Sequence, residues 1–374
     1  MNYYIIAGEA SGDLHASNLM KELEILDTNA HFRCWGGDLM QMQGAHLVKH
    51  YRDLAFMGFT EVLSNISTIL KNIEFCKTDI LNYHPDVLIL VDYPGFNLRI
   101  AEFAKSKNIR VFYYISPQVW AWKQSRVHKI KKVVERMFVI LPFEKEFYKG
   151  FDYDVDFVGH PLLDAVASYE KKEKTAMIAE KPIIALLPGS RKQEINTMLP
   201  LMLRMQKHYP DYQFIIAGAP SQNDKIYQQH IDKAMPSSKG IKIVYNQTYE
   251  LLQQSVAALV TSGTATLETA LFGVPEVVCY KGGAISFAIA KKLVKVKYIS
   301  LVNLIMDKEI VKELIQNELN ESNLNNELNK LLTGTSRKKL LNDYEELRQR
   351  LGGVGASRKT AELMLFYLKK NKIN

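Results

Sequence analysis

Two stretches in the C-terminal half carry residues whose types and spacing suit phosphate chemistry. Ile183-Ile184-Ala185-Leu186-Leu187 is a short apolar run of the kind that forms a buried parallel strand. Pro188-Gly189 breaks it, Ser190 can cap a new helix, and Glu194 falls in that helix's first turn. A strand, a glycine turn and a helix N-terminus aim free N–H groups and a positive dipole end at one point, which suits a phosphate. Arg191 adds a forked cation able to grip phosphate oxygens. By itself the stretch fits an ordinary turn with a solvated arginine equally well. The second stretch strengthens the phosphate reading. Ala257-Ala258-Leu259-Val260 reads as another buried strand, then Thr261-Ser262-Gly263-Thr264 opens a helix that Gly273-Val274-Pro275 ends. Two such turns can hold a diphosphate between two helix N-termini. Glu268 lies one helical turn beyond Thr264, where it can either accept hydrogen bonds from ribose hydroxyls or face water.

The N-terminal half offers acids and aromatics instead. Asp86 to Val91 is a clear strand, and Asp92 stands at its carboxyl end, where open α/β sheets carry their sites. An acid on a rigid turn there is a candidate general base, with helix capping as the alternative. Gly8-Glu9-Ala10-Ser11-Gly12-Asp13 is too acidic for a dinucleotide phosphate loop. Glu9, Ser11, Gly12 and Asp13 instead suit a sugar or other polyol, or a capped turn. Ser116 to Lys123 carries Trp120 and Trp122, which can stack on a sugar face or line an acyl groove. From Leu54 to Phe75, apolar residues including Met57 and Phe59 recur at helical spacing, with Lys71 and Lys77 nearby. That arc is wide for a helix covering a sheet edge. It is either core packing or a patch that holds an acyl chain or dips into a bilayer surface. Arg126 to Lys132 is basic and faces phosphate, membrane or solvent, and His160 either shuttles protons, contacts substrate or packs structurally.

Strands alternate with helices through both halves, so the fold class is α/β with two Rossmann-like domains. A chain of 374 residues exceeds one ordinary core and is expected to form two. The boundaries are read as 1–170, a Lys-rich linker at 171–181, 182–345, and a C-terminal helical segment at 346–374. That last helix packs back on the fold or on a partner subunit of a homodimer. From Val311 to Leu332 the chain reads as polar helix. A net charge of +8 suits anionic partners: phosphorylated substrates, nucleic acid or an anionic membrane face. No RNA module or aromatic stacking platform is present, so nucleic acid is not expected. Cys34, Cys76 and Cys279 show neither metal spacing nor a disulfide framework, which points to a reducing cytoplasm. No basic leader and no apolar run of ~18 residues is seen, so no signal peptide or spanning helix is expected.

Taken together, the motifs resemble the lipid-A-disaccharide synthases, two-domain glycosyltransferases of the GT-B type whose Rossmann-like domains face each other across a cleft. The resemblance spans nearly the whole chain. It rests on Gly8-Glu-Ala-Ser-Gly-Asp13, Ala55-Phe-Met-Gly58, Ser116-Pro-Gln-Val-Trp-Ala-Trp122, Leu141-Pro-Phe-Glu-Lys145, Leu187-Pro-Gly-Ser-Arg191, Ser262-Gly-Thr264 with Glu268, and Ser300-Leu-Val-Asn303, in that order. It implies inverting transfer of 2,3-diacylglucosamine from UDP to the 6-hydroxyl of 2,3-diacylglucosamine 1-phosphate, giving a β-1,6 disaccharide 1-phosphate and UDP. Under it Asp92 matches the catalytic aspartate and Arg191 the phosphate-binding arginine. Gly189, Ser190, Glu194, Ser262, Gly263, Thr264, Glu268 and Asn303 fall in the UDP-sugar site. Glu9, Ser11, Gly12, Asp13, Met57, Phe59, Trp120 and Trp122 fall on the acceptor and lipid side. No metal and no cofactor is implied. The family is peripheral on the cytoplasmic face of the bacterial inner membrane. Gly95 stands where the family often has a second Asp. A UDP-sugar epimerase of the same fold would use the same nucleotide site, but would need neither the tryptophan loop nor an acceptor. A non-catalytic lipid-binding or nucleic-acid-binding protein would leave the phosphate turns unexplained.

Overall fold

The computed structural model describes residues 1–54, 66–122, 124–170, 176–234, 241–283, 287, 296–334 and 336–370. The chain divides into two compact units, Met1–Asp164 with Leu351–Asn374, and Ala165–Arg350.

The first unit is built on a parallel sheet in the order β3-β2-β1-β4-β5-β6-β7. Its strands are β1 (Asn2–Ala7), β2 (His31–Gly36), β3 (His46–His50), β4 (Val87–Val91), β5 (Val111–Tyr114), β6 (Arg136–Val139) and β7 (Asp156–Phe157). β1 and β4 are buried on both faces, which is why they read as unbroken apolar runs rather than alternating ones. Their register pairs Ala7 with Val91, so the loops that follow each strand leave the sheet side by side. The strand order reverses between β1 and β4, the switch point where doubly wound sheets carry ligands.

The helices of this unit are α1 (Ala10–Leu26), α2 (Asp38–Met42), α3 (Ile66–Tyr83), α4 (Pro94–Ser106), α5 (Val119–Trp122), α6 (Arg126–Val133), α7 (Glu144–Lys149) and the first residues of α8 (Pro161–Glu170). α3 is tied to the sheet by Asp79, which accepts hydrogen bonds from Tyr4 Oη at 2.6 Å and from both Arg33 Nε and Nη2 at 2.8 and 2.6 Å. Ile73, Cys76 and Ile80 form its core face.

The second unit repeats the plan with the order β10-β9-β8-β11-β12-β13. The strands are β8 (Ile183–Leu187), β9 (Gln213–Gly218), β10 (Ile241–Tyr245), β11 (Ser255–Thr261), β12 (Glu276–Tyr280) and β13 (Lys312–Ile315). Here the switch point lies between β8 and β11, paired through Leu187 and Val260. The helices are α9 (Lys192–Arg204), α10 (Asp224–Ala234), α11 (Thr248–Gln253), α12 (Thr264–Leu271), α13 (Leu301–Met306), α14 (Glu321–Thr333) and α15 (Ser336–Arg350).

Three sequence expectations change. Residues 312–315, read as helix, form the edge strand β13; it is short, and only Glu313 and Leu314 of its four residues are buried, so it lacks an apolar run. The chain passes from the first unit to the second within α8, ahead of the segment 171–181 read as the linker, of which 171–175 lie outside the described residues. It returns at Leu351, so α16 (Ala356–Lys370) belongs to the first unit while residues 346–350 remain in the second. Ala361, Met364, Leu365 and Leu368 of α16 join Leu19, Met20 and Leu23 of α1 in one core. Both ends of α16 are capped: Asp164 accepts from Gly355 N and Ser357 N, and Arg110 donates to the carbonyls of Tyr367 and Leu368. The last helix thus packs back on its own chain.

Candidate active site

In the first unit the residues at the switch point form an acidic edge. Asp92 follows β4 directly and has a left-handed backbone, φ 45, as does Tyr93, φ 48. Two consecutive non-glycine residues in that region cost about 1–2 kcal/mol each, so the turn must be held by its surroundings. Pro94 then starts α4 with its fixed φ. The Tyr93 ring lies over Gly8, where an added Cβ would stand 2.3 Å from ring atoms, so only glycine lets the two loops approach. That approach brings Glu9 near Asp92. Burial pushes the Asp92 carboxyl up to about 6, the Glu9 charge adds to the rise, and the Tyr93 N–H opposes it. The acid is therefore ionised at neutral pH yet basic enough to take a proton. Ser11 is exposed at the start of α1, two residues past Glu9. Gly95 is open, with no atom within 4 Å of an added Cβ.

Several residues expected on this acceptor side serve the fold instead. Asp13 is buried and its carboxylate accepts from Gly37 N, Leu39 N and Met40 N at 2.8, 3.1 and 3.2 Å, anchoring the start of α2. It offers no oxygen to a sugar. Gly12 is also buried, packed on Ala7. Trp120 is in the core, edge-on to Phe143 at 5.0 Å, whereas Trp122 is half exposed with Arg126 over its ring at 5.6 Å. Glu144 lies beneath this loop; it accepts from Ile140 N and Leu141 N, and burial pushes it up to about 7. His160 is enclosed and burial depresses it to about 3, with His15 adding to the fall. Its Nδ1 accepts from Leu162 N at 3.2 Å, which ties the ring to the start of α8. Met57 and Phe59 lie outside the described residues.

In the second unit the two small-residue turns follow adjacent, paired strands at the other switch point. Gly189 has φ +101, and a Cβ there would stand 2.5 Å from Glu194 Oε2, so both conformation and space demand glycine. Glu194, expected among the ligand contacts, turns back on the loop. Its Oε2 accepts from Ser190 N at 3.1 Å and Arg191 N at 3.2 Å, and its Oε1 pairs with Arg191 Nη1 at 3.1 Å. Arg191, not Ser190, is the N-cap residue of α9. Glu194 so placed ties Ser190 and Arg191 into the loop. Gln222, not singled out in the sequence, donates to the Ser190 carbonyl at 3.1 Å.

Across from this loop, Gly263 and Thr264 are exposed at the N-terminus of α12, while Ser262 Oγ donates to the Ile299 carbonyl at 3.0 Å. Glu268 receives the Tyr249 hydroxyl at 3.1 Å, and burial raises its carboxyl despite that bond. Asn303, expected to touch nucleotide, is fully enclosed and fully used. Its Oδ1 accepts from Ile310 N and Val311 N, and its Nδ2 donates to Val311 O and Glu313 Oε1. Glu313 in turn accepts from Ile299 N, Ser300 N and Ser300 Oγ at 2.9, 2.9 and 2.7 Å. Asn303 therefore fixes the segment whose carbonyl holds Ser262. The polar strand that made 312–315 look helical hid Glu313.

Behind Glu313 sits Glu276, 1% exposed, with neither carboxyl oxygen hydrogen-bonded. Burial holds it well above the usual carboxylate range, and the Glu313 charge adds to the rise. The folded chain then keeps a proton that the unfolded chain releases, so stability falls as pH rises above the ordinary glutamate range. Glu276→Gln, neutral at every pH, is expected to gain in Tm relative to the parent between pH 5 and pH 8. A pH-independent difference between the two melting curves contradicts this.

Two parallel α/β units, each with its loops gathered at a switch point, define a GT-B type fold. Solved structures share this fold: a UDP-GlcNAc 2-epimerase from Neisseria meningitidis bound to UDP-GlcNAc has TM-score 0.68 at 13% identity, covering 98% of this chain and 100% of that one. The glycosyltransferase of kitacinnamycin has TM-score 0.67 at 12% identity, covering 98% and 99%. At such identities the likeness is one of fold. The sequence goes further: residues 3–366 match the family described as lipid-A-disaccharide synthetase. The lipid-A-disaccharide synthase of Syntrophus aciditrophicus is 39% identical over 376 residues, covering 98% of each chain, and that of Trichlorobacter lovleyi is 37% identical, covering 96% of each. The chain belongs to the lipid-A-disaccharide synthase family.

Proposed function

We propose that the chain is a glycosyltransferase of lipid A biosynthesis that transfers 2,3-diacylglucosamine from UDP to 2,3-diacylglucosamine 1-phosphate. What carries the reading is family membership along nearly the whole chain, joined to two small-residue turns after adjacent strands in one unit and a buried acid at a strand end in the other. The acceptor 6-hydroxyl attacks the anomeric carbon as the bond to the UDP oxygen breaks, and the hydroxyl proton passes to Asp92. Attack from the face opposite the leaving group turns an α-linked donor into a β product. Gly189, Ser190, Arg191, Gly263 and Thr264 hold the diphosphate, whose growing negative charge the two helix N-termini and the guanidinium stabilise. Glu268, steadied by Tyr249, takes the ribose hydroxyls. Glu9 and Ser11 meet the acceptor sugar, and Trp122 its acyl chains. The epimerases share the fold but do not act on an acceptor. Disaccharide formed in detergent micelles only when both substrates are supplied supports the transferase; UDP release independent of the acceptor sinks it.

The protein works, on this reading, at the cytoplasmic face of the bacterial inner membrane. Among the described residues no helix is long and apolar enough to cross a bilayer. The outer face of α3 instead exposes Ile66, Leu70 and Phe75, each more than half accessible, with Lys71 alongside. Replacing Leu70 and Phe75 by serine is expected to reduce co-sedimentation with anionic phospholipid vesicles at least about tenfold, since each loses about 1.5–3 kcal/mol of apolar burial. Undiminished binding would remove α3 from the contact.

A further inference from the structure

We infer that Asn97 and Tyr113 are positioning residues for the Asp92 carboxyl, gripping the Asp92 carbonyl from two sides and so holding the left-handed turn that aims the acid. This deepens the reading of Asp92 as general base and rests on it. Asn97 sits in the first turn of α4 and is fully buried. Its Nδ2 donates to the Asp92 carbonyl at 2.7 Å and to the Val91 carbonyl at 3.2 Å. Tyr113, fully buried in β5, donates its hydroxyl to the same Asp92 carbonyl at 2.5 Å. One carbonyl thus receives two side-chain donors from two elements, next to two successive positive φ angles. The sheet supplies only the bond from Asp92 N to Tyr114 O at 3.2 Å, which fixes where the strand ends and not how the next peptide turns.

The remaining polar atom of Asn97 shows that its place is set by these donors. Oδ1 is buried without a hydrogen-bond partner. A buried amide is tolerated half-satisfied when its other half does something the fold needs. Aspartate at 97 would present only acceptors to two carbonyls, and leucine would present nothing. With the grip gone, Asp92 relaxes toward the extended region that strands prefer, and its carboxyl swings away from the acceptor hydroxyl.

The test is a double-mutant cycle. Asn97→Ala and Tyr113→Phe are each made in the parent and in Asp92→Asn, and assayed for disaccharide formation. Tyr113→Phe keeps the ring in the core and so guards against a variant that fails to fold. In the parent, each is expected to lower kcat about 10–100-fold, the scale for a reacting group displaced by an ångström, with KM for both substrates within about threefold. In Asp92→Asn neither should lower kcat further. Equal losses in both backgrounds, or full kcat in the folded single variants with only Tm lowered, overturn the positioning role while leaving Asp92 as base. Full turnover in Asp92→Asn itself overturns the base reading and this inference with it.

Discussion

Asp92→Asn is expected to lower kcat by about 10²–10⁴-fold, the usual contribution of general base catalysis, while leaving affinity for the UDP-sugar intact. The separation follows from the architecture. Asp92 closes β4 in the first unit, whereas the turns that suit a diphosphate close β8 and β11 in the second. Asparagine keeps the size of the side chain and removes only its ability to take a proton. The pH profile provides a second, independent check. With the carboxyl at about 6, turnover should rise as pH increases through that value, because the base works only when ionised. The Glu9 charge helps to hold Asp92 that high, so Glu9→Gln should move the acid limb to lower pH. A profile insensitive to Glu9 would take Glu9 out of setting the Asp92 carboxyl, and an asparagine variant that turns over normally would remove Asp92 from the proton transfer.

What the sequence showed and what it hid divide along physical lines. Strands buried on both faces announce themselves as apolar runs, so β4, β8 and β11 and the turns at their ends could be read directly, and with them Asp92, Arg191 and Gly263. Edge strands lack that signal. β3 and β13 are short and only partly buried, and Glu313 on β13 went unseen with its strand. The direction in which a polar side chain points is a property of packing rather than of spacing. Asp13, Glu194 and Asn303 occupy motif positions, yet each turns its polar atoms onto nearby backbone N–H groups. A motif therefore marks residues that a site needs, without separating those that touch a ligand from those that hold the loop. Asn97 shows the converse. It lies five residues past Asp92, in a stretch read for its acid, and only the fold brings its amide under the Asp92 carbonyl.

Arg191→Ala is expected to lower kcat/KM for the UDP-sugar by about 10²–10³-fold, the loss seen when one group stabilising a developing oxyanion is removed. The geometry supports an effect of that size. Arg191 is 65% exposed in its side chain and paired with Glu194 at 3.1 Å. An exposed pair of this kind contributes about 0–1 kcal/mol, so the guanidinium gives up little when it leaves Glu194 for a phosphate. Charge-assisted hydrogen bonds to a diphosphate are each worth about 1.5–3 kcal/mol, and the Ser190 and Arg191 N–H groups held by Glu194 can turn to the same ligand. Because the charge on the leaving UDP grows along the reaction, part of the loss should fall on kcat rather than on KM. Arg191→Lys should recover charge but not the two-pronged grip, and therefore only part of the rate. Glu194→Gln separates loop holding from ligand contact: it removes a negative charge beside the diphosphate, so UDP should bind at least as tightly as to the parent. Weaker UDP binding by that variant, measured by calorimetry, would return Glu194 to the list of ligand contacts, and unchanged kinetics in Arg191→Ala would take the arginine out of the site.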